Sequence, residues 1–289
     1  MRRFLIAAVA AVTVLAVAAV AYAANVYTVD GGTSPRGKGT ASKPLPVSLN
    51  FDFSVRDENP AFRGTPVEKY FIGAEGLVTY PEEFPTCSGG TDGANNTVLA
   101  TVKKVCKKAR VGGGIIKAYA GPSPPPESNQ EVKLNCVLEL NLYNLKPGNY
   151  GPRGKVTKKH GGLGIRIDAR QVPPEDIPNL NDEHKGKCAT EQNEAIIAPY
   201  KPVKIKGVTS DELQFTVPQS LLHPAGLETV VQNVESAVRK RTAMKRIKGK
   251  NRKVGFYSAI GCKGNQRSIQ VTFISEEGQK TPLTKNGPC

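Results

Sequence analysis

Apolar and polar side chains alternate along several separate stretches of this chain. Between Val47 and Val55 the apolar residues occupy every second position, and polar residues fill the positions between them. Successive side chains of a β-strand point to opposite faces, so this period predicts a strand with one buried and one solvated face. The pattern therefore predicts a mainly β, antiparallel protein, with the architecture of an immunoglobulin-like β-sandwich. The same period recurs in residues 132–142, 163–168, 213–217 and 269–273.

Residues 1–23 have the three parts of a secretory signal peptide. They combine a basic start, an apolar run from Phe4 to Tyr22, and the small residues Ala21 and Ala23 two positions apart. We expect cleavage after Ala23. The alternative is an uncleaved anchor, since about 18 apolar residues can span a bilayer. Either reading predicts that the rest of the chain is secreted or belongs to the cell envelope.

Residues 24–289 are long enough to bury a large core. We expect a single large β-sandwich domain, because the predicted strands throughout this range each have one apolar face, and these faces can be buried together in a common core. The alternative is a split near residues 121–130 into two sandwiches, since residues 121–128 are rich in proline and serine. Long loops separate the predicted strands, and functional surface often lies in such loops.

The chain contains six cysteines, an even number. In an oxidising compartment this predicts three disulfides and a fold that they stabilise. Sequential pairing gives the shortest loops, which close at the smallest entropic cost. No CxxC pair occurs and the spacings match no zinc module, so we predict no metal site. The predicted disulfides are Cys87–Cys106, Cys136–Cys188 and Cys262–Cys289.

One segment departs from the alternation and predicts a short amphipathic helix. Its lysines fall on one side and its apolar residues on the other, with Asn96 or Thr97 as a candidate cap and Cys106 as its attachment point. A helix lying on a membrane surface is the alternative. The predicted apolar stripe consists of Val98, Leu99, Val102, Val105, Cys106 and Ala109.

Residues 239–253 hold nine basic residues and no acidic one. The formal net charge of the chain is +15, and it falls to +13 without residues 1–23, which carry two arginines and no acid. Flanking valines and Gly249 predict a β-hairpin here, with a helix over residues 228–241 as the alternative. The basic residues are Arg239, Lys240, Arg241, Lys245, Arg246, Lys248, Lys250, Arg252 and Lys253.

An exported protein with this charge meets anionic cell-wall polymers, polysaccharides and lipid headgroups, and it does not meet intracellular nucleic acid. Long-range attraction to such polyanions depends on salt. The sequence thus predicts an exported structural or binding protein of the cell envelope whose basic surface associates with anionic polymers. A solvated basic surface that only maintains solubility is the simpler alternative.

The chain lacks the common catalytic and phosphate-binding motifs. The glycines at 112–114 fit a strand start or bulge, because no predicted helix follows them. Adjacent acids at 82–83, 175–176 and 276–277 do not resemble the separated carboxylates of a glycosidase. We therefore predict no catalytic residue and no cofactor. The alternative function is a secreted carbohydrate-active hydrolase, or another envelope enzyme, with unidentified acidic residues.

The chain contains the short segments FPTC (84–87), VGGG (111–114), NLYN (141–144), LLHPAGLE (221–228) and SAIGC (258–262). These segments resemble those of exported, cysteine-containing, mainly-β proteins of high-GC Gram-positive bacteria. Their order, with a late basic hairpin and a terminal cysteine, covers most of residues 24–289. That group has no assigned activity, so the resemblance implies disulfides and a mainly-β fold and transfers no functional residue.

Overall fold

The computed structural model describes residues 25–58, 64–122, 136–169, 195–224 and 227–289. The expected signal peptide, Cys188 and most of the 121–130 segment lie outside these ranges. So do the adjacent acids at 175–176.

The described part of the chain is dominated by β-strands, which confirms the mainly β, antiparallel prediction. The strands are β1 Asn25–Ser34, β2 Leu45–Asp57, β3 Val67–Ala74, β4 Leu77–Thr79, β5 Arg110–Pro122, β6 Cys136–Asn144, β7 Gly148–Asn149, β8 Lys155–Val156, β9 Gly162–Ala169, β10 Ala195–Ile205, β11 Val208–Thr216, β12 Leu227–Val238, β13 Thr242–Ile247, β14 Lys250–Gly255, β15 Tyr257–Ala259, β16 Gln266–Ser275 and β17 Lys280–Pro288. The α-helices are α1 Leu99–Val105 and α2 Gln219–Leu222, and short 3-10 helices cover Pro81–Glu83, Lys107–Ala109 and Gly151–Arg153.

Within these residues 13 strands form one antiparallel sheet. Its order is β17-β16-β3-β11-β10-β9-β6-β5-β12-β2-β15-β4, and β1 pairs with β2. At the far edge β17 lies against β1, where Lys285 and Asp30 form an ion pair of 3.5 Å. The sheet therefore curls until its ends meet, and its two halves face each other across one core. This arrangement is consistent with a sandwich, and the immunoglobulin-like architecture stays a prediction. β5 and β6, which flank residues 121–130, hydrogen-bond to each other in this sheet.

The core lies between the two halves of the sheet. Val47, Phe51, Phe53 and Val55 of β2 are buried and Leu49 is partly buried, which are the alternate positions that the pattern predicts for the core face. Phe53 lies 5.5 Å from the ring of Phe273 on β16, measured between ring centroids. Contacts of this kind across the fold join the strands into one apolar core.

A second, smaller apolar cluster lies outside the sheet. Residues 81–109, which we call the covering segment, pack on the outer face of β6, β9 and β10. Backbone hydrogen bonds hold it there: the Cys87 amide donates to the Asn144 carbonyl at 2.8 Å, and the Lys146 amide donates to the Cys87 carbonyl at 2.8 Å. The outer face of these strands is therefore buried beneath the covering segment, where alternation alone predicts a solvated face.

The predicted amphipathic helix is present as α1, with one correction to its buried stripe and one to its cap. Val102, Cys106 and Ala109 are buried, but Val98 and Val105 are more than half exposed. The helix has only seven residues, so its apolar face is too short to bury both ends of the predicted stripe. The cap position is held by Val98 without a side-chain cap, in place of Asn96 or Thr97.

Cys87 pairs with Cys106, and Cys262 pairs with Cys289, as the sequence predicted. Cys136 is also disulfide-bonded and is buried, as predicted for a core-facing position. Its predicted partner, Cys188, lies outside the described residues.

Replacing Cys87 and Cys106 together with serine is expected to lower the free energy of unfolding by about 3 kcal/mol, the value for a loop of this size. The bridge ties α1 to the start of the covering segment, so its loss frees that segment in the unfolded chain. Urea unfolding of the double variant and the wild type measures the difference. Equal midpoints and equal slopes in the two proteins would contradict a stabilising role.

The triplet Gly112, Gly113 and Gly114 stands near the start of β5, next to an irregularity in its pairing with β6. This confirms the strand-start reading. A Cβ added at Gly114 would lie 1.9 Å from the Glu235 carbonyl oxygen on β12. The neighbouring strand thus approaches too closely for any side chain at this position.

Candidate functional site

The basic stretch at 239–253 forms the predicted β-hairpin. β13 and β14 pair with each other alone, and Lys248 and Gly249 at the turn both have positive φ, 48° and 77°. Positive φ at both central residues gives the tight turn that joins twisted strands. The alternative helix over 228–241 is wrong, because β12 occupies residues 227–238.

Two groups of basic residues that are far apart in sequence meet at the base of this hairpin. Arg241 donates from Nη1 to the carbonyl oxygens of Lys108, at 2.8 Å, and Arg110, at 3.2 Å. The Arg239 amide donates to the Val111 carbonyl at 3.0 Å. These bonds place the lysines around α1 beside the hairpin.

We call the exposed members of both groups that form no ion pair with a described residue the basic surface; Lys103 and Arg110 are excluded because they pair with Glu139. Each is exposed, and none forms an ion pair with another described residue. The basic surface consists of Lys104, Lys107, Lys108, Arg239, Lys240, Arg246, Lys248, Lys250 and Lys253.

Lys245, by contrast, is used inside the molecule. Its Nζ binds the carboxylates of Glu82 and, at 2.8 Å, Glu83, and it lies 5.4 Å from the centre of the Tyr80 ring. Burial lowers the pKa of Lys245, but the hydrogen bonds to Glu82 and Glu83 raise this pKa by more, so the net shift is upward. Lys245 therefore anchors the hairpin to the covering segment and is not available to a ligand. Arg241 and Arg252 are also partly buried.

A buried charged pair that the sequence analysis did not single out lies beneath the covering segment. Arg166 on β9 is fully buried, and its Nε donates to Asp168 Oδ1 at 2.8 Å. Its Nη1 also donates to the carbonyl oxygens of Ala94, at 3.1 Å, and Asn96. The guanidinium thus connects the sheet to the covering segment that carries α1. Alternation places Arg166 and Asp168 on the outer face, and only the covering segment takes them out of water.

A second buried polar cluster lies where β4, β11 and β15 come together. Asp211 Oδ2 accepts hydrogen bonds from the Thr79 amide at 2.8 Å and from Thr79 Oγ1 at 2.9 Å. His160 Nδ1 lies 3.4 Å from Asp211 Oδ1, and this histidine is partly buried. Beside them the hydroxyls of Tyr200 and Tyr257 are 2.5 Å apart.

Between the two halves of the sheet lies an apolar cavity of about 170 Å³. Residues of eleven strands and of α2 line it, and Asp211 and Tyr257 from the second polar cluster form part of its wall. Close packing normally leaves few voids larger than a water molecule in a protein interior. Sequence periodicity identified the lining faces as apolar, but it contains no information about the space between them.

Three of the four adjacent acids within the described ranges have basic partners. Glu82 and Glu83 bind Lys245, and Glu276 accepts from His223 Nε2 at 2.8 Å. Over the described ranges no group of three or more histidine, cysteine, aspartate or glutamate side chains is arranged to hold a metal ion. Of the helices in the same ranges, none has the length and hydropathy needed to cross a membrane.

Comparison of the chain with protein-family models, with curated proteins and with solved structures finds no match.

Proposed function

We propose that this protein is an exported structural or binding component of the cell envelope that associates with anionic polymers through its basic surface. The observation that carries the proposal is the double hydrogen bond from Arg241 to the carbonyls of Lys108 and Arg110. This bond brings two separate basic segments together, which a charge distribution that serves only solubility does not require. The oxidised cysteines support the extracytoplasmic location, because disulfides persist in oxidising compartments.

The electrostatics of the surface favour a polymer over a compact anion. The basic groups lie along an extended hairpin and the neighbouring helix, and their charges are not balanced by described carboxylates. Each charge close to an anionic surface contributes up to about 1 kcal/mol of attraction, which added salt screens. A repeating chain of negative charges engages several of these groups at once. The alternative, a carbohydrate-active hydrolase, has no observation in its favour among the described residues.

Replacing four hairpin residues with glutamine, Arg246, Lys248, Lys250 and Lys253, is expected to weaken binding to purified anionic cell-wall polymer by about tenfold or more at low salt. Co-sedimentation over a series of NaCl concentrations measures the affinity. The wild type is expected to lose affinity steeply as salt rises, and the variant is expected to lose it less steeply.

The matched control replaces Arg56, Lys201, Lys204 and Lys280 with glutamine, which removes the same number of arginines and lysines from exposed sites on other strands. This control is expected to bind nearly as the wild type does. If both variants lose the same affinity for the polymer, net charge alone drives the association, and the proposed surface is wrong. Vesicles containing anionic lipid, tested in parallel, distinguish lipid headgroups from wall polymer as the preferred polyanion.

A further inference from the structure

The apolar cavity between the two halves of the sheet lies apart from the basic surface, since none of its lining residues belongs to that surface. Its volume, about 170 Å³, is similar to that of engineered cavities of about 150 Å³ that stay dry and bind benzene. Apolar cavities of this kind take up apolar molecules because neither water nor the protein itself fills them. We propose that this cavity binds one small, elongated, uncharged apolar molecule.

The cavity is long relative to its volume. Along β11 its lining runs from Asp211 to Val217, a distance of about 20 Å at the rise of a β-strand. Beyond the end of β11, Leu221 and Leu222 of α2 and the following Pro224 also contribute to the wall. A space of this length can hold a linear hydrocarbon chain.

The wall excludes a charged ligand. Among the described residues that line the cavity, Asp211 is charged, and none is a lysine or an arginine. A ligand carboxylate near Asp211 would be buried beside a like charge without a counter-ion, which is strongly unfavourable. A ligand cation would compete with Thr79, which already donates twice to Asp211 Oδ2.

Tyr257 provides a place for one neutral oxygen of the ligand. The hydroxyls of Tyr257 and Tyr200 form one hydrogen bond with each other, so one of their two O–H groups remains a donor. Burial raises the pKa of Tyr257, so its hydroxyl keeps its proton. Since Tyr257 lines the cavity, an alcohol, ketone or ester oxygen at one end of the ligand can accept from this pair.

The experiment uses the full chain with oxidised disulfides and the fluorescent apolar probe N-phenyl-1-naphthylamine. The wild type is expected to bind one equivalent saturably, with an affinity that does not change between low and high NaCl. Among ten-carbon competitors, decan-1-ol is expected to displace the probe at a concentration at least tenfold lower than decanoate or decylamine. Equal displacement by decanoate would overturn the uncharged class of ligand.

Val234→Phe is expected to reduce probe affinity at least tenfold, because Val234 lines the cavity and the phenylalanine ring would occupy part of the space that the probe needs. The matched control is Val105→Phe, the same change at an exposed position of α1 outside the lining. If circular dichroism shows that Val234→Phe is unfolded, Val231→Phe, a partly buried lining position, replaces it. No saturable binding by the wild type, or equal affinity of the cavity and control variants, would overturn the proposal. Since polymer binding depends on salt and this binding does not, either proposal can fail without the other.

Discussion

Replacing Arg166 with methionine is expected to lower the free energy of unfolding by about 3–5 kcal/mol, the cost of breaking a buried ion pair from one side. The guanidinium is fully buried and donates to Asp168, Ala94 and Asn96. Without it the Asp168 carboxylate remains buried beside Asn141, which offers only a 3.5 Å contact from Nδ2. Two backbone carbonyls of the covering segment also lose their donor. Urea unfolding monitored by circular dichroism measures the loss.

Two further variants show whether the unpaired charge causes that loss. In the double variant Arg166→Met with Asp168→Leu no charge is left unpaired, so it is expected to be more stable than Arg166→Met alone. Arg239→Met makes the same change at an exposed position and is expected to alter stability by less than about 0.5 kcal/mol. A loss below about 1 kcal/mol in Arg166→Met would mean that the covering segment does not depend on this residue.

Replacing Phe273 with alanine is expected to cost about 3–5 kcal/mol through lost burial and the cavity that the ring leaves. Phe273 is fully buried on β16 and stacks on Tyr27 of β1, with ring centroids 4.4 Å apart. It also lies 5.5 Å from Phe53 and 5.7 Å from Tyr70. This ring therefore connects both ends of the curled sheet.

The same substitution at Phe71 provides the control. Phe71 precedes Ile72 on β3 and is only partly buried, because it faces away from the core that Tyr70 occupies. Phe71→Ala is expected to lose less than half as much stability, since less apolar area leaves the protein interior. Thermal and urea unfolding of both variants give the comparison. Similar losses at the two positions would contradict a core that is centred on Phe273.

The parts of the fold that sequence reasoning predicted are those with local causes. The alternation in β2 identified its buried face, because each side chain's direction follows from the backbone. Gly249, together with the alternating apolar residues on either side of the basic stretch, identified the hairpin, because a tight turn requires particular residues. The pairing of Cys262 with Cys289 followed from the short loop between them.

The remaining features arise from contacts between distant segments. Arg166 is buried only because the covering segment, about seventy residues earlier, lies over it. Lys108 meets Arg241 across 133 residues, so the basic surface is not visible as a single run in the sequence. The cavity depends on how closely the two halves of the sheet approach, and periodicity identifies only which faces meet.

The central claim is that the chain functions outside the cytoplasm with its disulfides formed. Fractionation of the producing cells followed by intact-mass spectrometry, with and without reduction and alkylation, tests it most directly. We expect an extracytoplasmic protein that lacks residues 1–23, in which all six cysteines resist alkylation until they are reduced. A full-length cytosolic protein in which all six cysteines are alkylated without reduction would contradict it.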